Sequence, residues 1–255
     1  MINERPCIVD GRPCDWGDMP DGLYVSQNIA VTGRRGVSVD RYAEALDYAS
    51  RELLGFGIRQ SARSIERDIE TLFADNGYPA DGLSRAIVRQ YLSGEFVIRA
   101  GEILPYRERA LRVVFPRAAV VDYDIPFSEV RSSLSEAALE AAYGHLPRGV
   151  QTVLRRSSRG GIVSADSAPL FAVAGKRVTT PEPEVPSAEF EMAAEAVLAA
   201  GLDLVTGEVD SEMLLEADEL FFADYRGITA VSSFEERHYM HLMAARVGLR
   251  FLKNI

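Results

Sequence analysis

The chain has 255 residues, 47% of them hydrophobic and 26% charged, with a formal net charge of -10. That is the composition of a soluble globular protein of one or two domains, and the acidic balance argues against the basic face that nucleic acid requires. No apolar run reaches the roughly 18 residues of a membrane span, and Met1-Ile-Asn-Glu-Arg-Pro-Cys7 has no apolar signal core, so the cytoplasm is the expected compartment.

The chain opens as a β-rich segment over 6–33. Asp10-Gly11 forms a turn, and Leu23 to Val31 has the apolar run of a buried strand. Cys7 and Cys14 are the only cysteines, so a pairing between them stays open and no cysteine metal site can be completed. Asp15-Trp16-Gly-Asp18 reads as a loop anchor. Gly33-Arg-Arg-Gly36 is a tight turn. Val39, Tyr42, Ala43, Leu46, Ala49 and Leu53 recur at helical spacing, with Ser38 as the expected N-cap. A second helix is predicted over Ser64 to Asp75, ended by Asn76-Gly77. Leu83 to Leu92 and Arg109 to Phe115 read as strands with a loop between them, and Pro116 to Pro126 as the domain crossing.

A helix from Ser133 to Gly144 begins the second half. Strands follow at 151–155, 161–164 and 169–174, with an exposed basic turn, Arg155, Arg156 and Arg159, that could receive an anion. Ala174-Gly-Lys-Arg177 is a hairpin turn. Ser187 caps a helix to Ala200, Leu202 to Val205 starts a strand, and Asp210 or Ser211 caps a short helix. Glu219 to Phe222 and Ile228 to Val231 are buried strands. Ser233 with Glu236 predicts a capping box for a last helix to Val247, which would put His238 and His241 on one face. Two histidines and Glu235 fall short of a metal site, and none is expected.

Several stretches in this order resemble one family. Gly201-Leu-Asp-Leu-Val, then Leu214-Leu-Glu-Ala-Asp-Glu-Leu-Phe-Phe222, then Gly227-Ile-Thr-Ala-Val231 is similar to the "G-I-x-V … LL-x-ADE-x-F … G-V-x-P-V" run of fold-type IV pyridoxal-phosphate enzymes. Phe171 to Pro181 resembles their "N-x-F … T-P" hairpin, Asp21-Gly-Leu-Tyr24 their "GDGVFE" strand, and Val39 to Leu46 their "L-x-x-H-x-x-RL" helix. Arg85 to Arg89 falls at their "V-R-x-x-V-T" strand. The resemblance implies an α/β fold of the two-domain class IV aminotransferase-like, D-amino-acid-aminotransferase-like kind. Its domains would be 1–118 (small) and 119–255 (large), with a cleft between them, in a homodimer.

The resemblance also assigns four contacts, and this chain departs at each. The Schiff-base lysine falls at Arg131, whose permanently protonated guanidinium forms no ordinary imine. The carboxylate that keeps the pyridine nitrogen protonated falls at Ser164, with Asp166 as the nearest acid. The phosphate arginine falls at Ala45, with Arg41 a turn earlier, and the phosphate-binding helix N-terminus carries Glu189. Only two lysines exist, Lys176 and Lys253. The expectation is a class IV aminotransferase-like protein without bound cofactor, a pseudoenzyme or a binder of small carboxylates. Its pocket would be lined by Tyr24, Arg89, Arg131, Asp166, Tyr225 and Arg226. The alternative is an active enzyme of the aminotransferase or aminodeoxychorismate lyase type holding pyridoxal phosphate.

Overall fold

The computed structural model describes residues 7–15, 19–80, 82–104, 112, 114–124, 126–127 and 129–251. The Trp16 loop anchor, much of the strand expected at Arg109 to Phe115, and Lys253 lie outside them.

The first half is one antiparallel sheet. Its strands are β1 (Cys7–Val9), β2 (Arg12–Cys14), β3 (Tyr24–Thr32), β4 (Arg35–Gly36), β5 (Leu83–Tyr91) and β6 (Phe96–Leu104), in the order β2-β1-β6-β5-β3-β4. Phe96–Leu104 corrects the expected loop: apolar Phe96, Val97 and Ile98 pair along β5, and polar Arg99 and Glu102 had hidden the strand. The hairpin β1–β2 places Cys7 opposite Cys14 with Cα atoms 5.4 Å apart, and the two are disulfide-bonded. Helices α1 (Val39–Leu54) and α2 (Ala62–Asp75) cover one face. Ile65, Ile69, Leu72 and Phe73 recur every three or four residues along α2 and are buried, each contributing about 1.5–3 kcal/mol. Ser38 precedes α1 as expected, but in a left-handed conformation with no side-chain cap bond. The side-chain period of two in β5 sends Ala86 and Val88 to this helical face and Arg85, Ile87 and Arg89 to the other.

The second half holds two five-stranded sheets. β7 (Arg117–Asp122), β8 (Thr152–Arg156), β9 (Ile162–Ala165), β15 (Ser233–Phe234) and β16 (Arg237–His238) lie in the order β16-β15-β7-β8-β9. β10 (Leu170–Ala174), β11 (Arg177–Thr180), β12 (Asp203–Thr206), β13 (Glu219–Asp224) and β14 (Gly227–Ala230) lie in the order β12-β11-β10-β13-β14. Helix α3 (Ser133–Tyr143) crosses between the parallel pair β7 and β8, and α4 (Ala188–Ala199) between β11 and β12. The segment at Pro116 to Pro126, read as a crossing, contains β7, so the expected boundary at 118/119 falls inside a strand. One hydrophobic cluster runs from Ile29, Leu46 and Phe73 through to Phe171, Phe221 and Val247, joining the two halves.

The last helix differs from the sequence expectation. Residues 233–238 form the short hairpin β15–β16, and α6 starts later, at Leu242–Phe251, after α5 (Ser211–Glu216). Its N-terminus is capped from across the sheet. The buried Glu219 carboxylate accepts the Met243 N–H at 2.9 Å and the Ala244 N–H at 3.0 Å. A buried carboxylate at a helix N-terminus meets both the orphan donors and the helix dipole. His238 is therefore in the short strand β16, while His241 packs against Phe115 with the rings tilted and their centroids 4.6 Å apart. Among the described residues no group of His, Cys, Asp and Glu is arranged to hold a metal, and no helix is long and apolar enough to cross a membrane.

Candidate ligand-binding cleft

Arg131 stands at the junction of the halves. Its carbonyl accepts the Ser26 N–H of β3 at 3.0 Å, and the next residue, Ser132, bridges to Val25. Ser132 also starts α3 in a reciprocal cap: its hydroxyl accepts from Ser135 N at 3.3 Å and its own N–H donates to Ser135 Oγ at 2.8 Å. The backbone of Arg131 is thus fixed from both sides, and its side chain lines two cavities, of about 360 and 400 Å³.

The smaller cavity is walled on one side by the polar face of the first sheet. Arg85 and Arg89 stand on the same face of β5, and Arg99 of β6 pairs with Ile87 between them. Arg85 fits closely against β6 because residue 101 is glycine: a Cβ there would meet Arg85 Nε at 2.9 Å. Arg85 binds Glu102 at 2.6 Å and lies over the Tyr225 ring. Arg89 lies 4.0 Å from the Tyr24 ring centroid and 3.7 Å from Glu136, whose carboxylate accepts the Tyr24 hydroxyl at 2.6 Å. The Nε atoms of Arg85 and Arg89 are buried without a hydrogen-bond partner. Burial first, and then Arg89 and Arg85, push the Arg99 pKa down. Burial likewise pushes the Tyr225 hydroxyl up to about 12.

The facing wall carries Tyr143, Asp166, Asp224 and Arg226. Arg226 pairs with Asp224 beside it in the β13–β14 hairpin. Asp166 sits at the tip of the tight turn after β9, where both central residues, Asp166 and Ser167, have positive φ, 49° and 63°. Its Oδ1 accepts the Val153 N–H at 2.8 Å. Burial raises its pKa, against the opposing pull of Val153, Tyr143 and Arg226. The cavity thus carries five guanidinium groups, Arg85, Arg89, Arg99, Arg131 and Arg226, against three carboxyls, Glu136, Asp166 and Asp224. Glu102, paired with Arg85, and Glu189, near Arg131, offset part of that charge from outside the lining, while the unpaired Nε donors of Arg85 and Arg89 suit an anion.

The larger cavity contains Ser164 and Arg155, which face each other across β8 and β9. Arg155 was expected in an exposed basic turn. It is instead 8% exposed, lies 3.6 Å from Asp124 and 3.7 Å from Glu129, and has a buried Nη1 without a hydrogen bond. Only Arg156 and Arg159 behave as the turn predicts, pairing at the surface with Asp122 and Glu184.

Of the pocket residues nominated from sequence, Arg89, Arg131, Asp166, Tyr225 and Arg226 line the smaller cavity, and Tyr24 lies directly beneath Arg89. Sequence reasoning missed Arg85 as a lining group, together with Arg99, Glu136 and Tyr143. The alternation in 85–89 could have found Arg85; Arg99 required the β5–β6 register. Ala45 is buried in α1, and Arg41 does not reach inward but pairs with Glu191 and Glu195 of α4. Glu189 is 4% exposed in the first turn of α4, with Oε1 unpartnered. Burial raises its pKa and Arg131 lowers it. The Tyr42 hydroxyl, near Glu189 and Arg131, is also buried without a partner. Lys176 lies in the exposed β10–β11 turn.

No family model matches the sequence, and no curated protein matches it. Solved structures do match the fold. A branched-chain aminotransferase from Thermoproteus uzoniensis with norvaline superposes with a TM-score of 0.81 at 17% identity, covering 96% of this chain and 92% of that one. An aminotransferase from Brucella abortus bound to the cofactor PLP gives 0.74 at 17% identity, over 94% and 95%. A hypothetical aminotransferase from Mycobacterium tuberculosis, in an alpha-ketoglutarate- and PMP-bound form, gives 0.76 at 16% identity, over 98% and 99%. The fold is that of the class IV aminotransferases. These PLP- and PMP-bound structures overturn the expectation of no cofactor, which rested on four sequence positions alone.

Proposed function

We propose that this protein binds a small anionic molecule, a carboxylate or a phosphate-bearing one, reversibly in the cleft beside Arg131. The observation that carries the reading is the convergence of five guanidinium groups on one cleft, two of which, Arg85 and Arg89, keep buried Nε atoms without a hydrogen bond. Arg131 stands where the resemblance puts a lysine. It supplies a fixed cation with planar donors suited to a carboxylate or phosphate, and no imine-forming amine.

Pyridoxal or pyridoxamine phosphate is the first cofactor to consider, because the matched structures are described with PLP and PMP. The fit of this chain to that group is partial. The arginines suit its anionic charge. Glu189 and Ala45 provide no phosphate donor at the positions the resemblance assigns, and Ser164 provides no carboxylate for a pyridine nitrogen. On this reading the group is held without a covalent bond to residue 131. The same reading makes the protein a repurposed relative of class IV aminotransferases, working as a homodimer of two-domain subunits whose first domain ends before β7 rather than at 118/119.

Titration calorimetry with 2-oxoglutarate, pyridoxal phosphate and pyridoxamine phosphate tests it. At least one should bind. Replacing Arg131 by Gln should weaken that binding about 10- to 100-fold, the worth of a charge-assisted hydrogen bond of about 1.5–3 kcal/mol. Pyridoxal phosphate should leave on dialysis. A borohydride-stable lysine adduct found by mass spectrometry, or steady transamination of branched-chain amino acids, would sink the proposal.

A further inference from the structure

The cleft holds a group that anion binding does not use. Asp166 lies at the tip of a two-residue turn closed by reciprocal bonds between Ala165 and Ala168, 2.8 and 3.0 Å long. Such turns favour glycine and asparagine; here a serine follows the aspartate, also at positive φ. The conformation costs on the order of 1 kcal/mol per residue and directs residue 166 into the arginine-lined cavity. One carboxyl oxygen is fixed by the Val153 N–H at 2.8 Å, so the group has a defined orientation. Tyr143, from the last turn of α3, lines the same cavity beside it.

An oriented carboxyl next to cationic groups is the arrangement that removes a proton from carbon and stabilises the anion left behind. We propose that Asp166 is a proton-transfer residue acting on an enolisable oxo acid whose carboxylate is held by the arginines of the cleft. The inference rests on the anion-binding reading given above. The Asp166 carboxylate takes a proton from the carbon adjacent to the carbonyl. The C–H electron pair becomes the enolate, whose charge Arg131 and Arg226 offset. The proton, exchanged with solvent or not, returns to carbon. No redox partner and no second substrate are consumed. Burial raises its pKa from the ordinary aspartate value, which makes it a stronger base once ionised.

The test is proton exchange at carbon 3 of 2-oxoglutarate in D2O, followed by proton NMR, with binding of the same compound measured by calorimetry. The wild-type protein should speed exchange over buffer by about 100-fold, the common worth of a general base. Asp166→Asn keeps an oxygen acceptor for Val153. It removes one cavity carboxylate, so it should bind 2-oxoglutarate at least as tightly as the wild type, and it should lose the acceleration. The wild-type rate should rise with pH to a plateau as the carboxyl ionises. Wild-type protein that binds 2-oxoglutarate without accelerating exchange would overturn the proposal and leave the binding reading standing. So would an unchanged rate in Asp166→Asn. Should that variant not fold, a wild-type rate that does not change with pH overturns the proposal in its place. Wild-type protein that does not bind 2-oxoglutarate removes this proposal, and binding of the phosphopyridines then decides the broader reading.

Discussion

Arg131 lowers the pKa of the buried Glu189 carboxyl, yet no hydrogen bond reaches Glu189 Oε1. The acid is therefore desolvated without full compensation. Burial is the larger effect and holds its pKa above the ordinary 4.5.

A raised carboxyl pKa has a definite sign in stability. The folded state binds the proton more tightly than the unfolded one. The contribution of Glu189 is then fully present below the unfolded value and is lost as pH climbs through the raised folded value. Glu189→Gln should be more stable than the parent at neutral pH by on the order of 1–2 kcal/mol, with the gap closing toward pH 4. Thermal melts of both proteins across that range check it; a gap that widens in acid would contradict the assignment.

Glu136 competes with any ligand for Arg89. It lies 3.7 Å from that guanidinium and accepts the hydroxyls of Tyr24 and Ser26 at 2.6 and 2.8 Å. Glu136→Gln keeps an acceptor for one hydroxyl and removes the charge. Its carboxylate is 41% exposed, so solvent screens the effect. The expected gain in anion affinity is roughly fivefold, under about 1 kcal/mol, and should shrink as salt is raised.

The Cys7–Cys14 bond closes a loop of seven residues in sequence separation at the edge of the first sheet, next to the strand that bears Arg99. A loop that short is worth roughly 2 kcal/mol in the chain-entropy model. Thiol titration in denaturant without reductant should find no free cysteine. Replacing both residues by serine should lower the melting temperature by several degrees, about 2 kcal/mol spread over a protein of this size.

Glu219 holds the start of α6 by three contacts of 2.9 to 3.0 Å. Glu219→Ala leaves buried N–H groups open and should cost about 3 kcal/mol in urea unfolding, the scale of a charge-assisted bond plus an unpaired group. Glu219→Gln, which keeps one acceptor, should lose less. Equal losses would mean that packing around the side chain, not capping, is what matters.

Much of the secondary structure is local and was legible. Tyr42, Leu46 and Ala49 mark α1, and Ile65, Ile69 and Leu72 mark α2, because a helix repeats about every 3.6 residues. Ser187 announces α4 because a hydroxyl at that position reaches a backbone N–H three residues on, as it does to Phe190 at 3.2 Å. The failures share a cause. Phe96–Leu104 is held by register with β5, not by its own pattern. Ser233 and Glu236 imitate a capping box, while the true cap of α6 comes from Glu219, 24 residues away from Met243 in sequence.

The sequence by itself determined that a permanent cation occupies position 131 and that the chain has only two lysines, Lys176 and Lys253. Residue identity alone fixes both, because no fold can supply an amine that the chain lacks. Only the tertiary structure decided what surrounds that cation. Strand pairing brought Arg99 between Arg85 and Arg89, the β9 turn aimed Asp166 into the same cavity, and α4 buried Glu189. Charge becomes a binding site through desolvation and convergence, and both depend on distances between segments far apart in the chain.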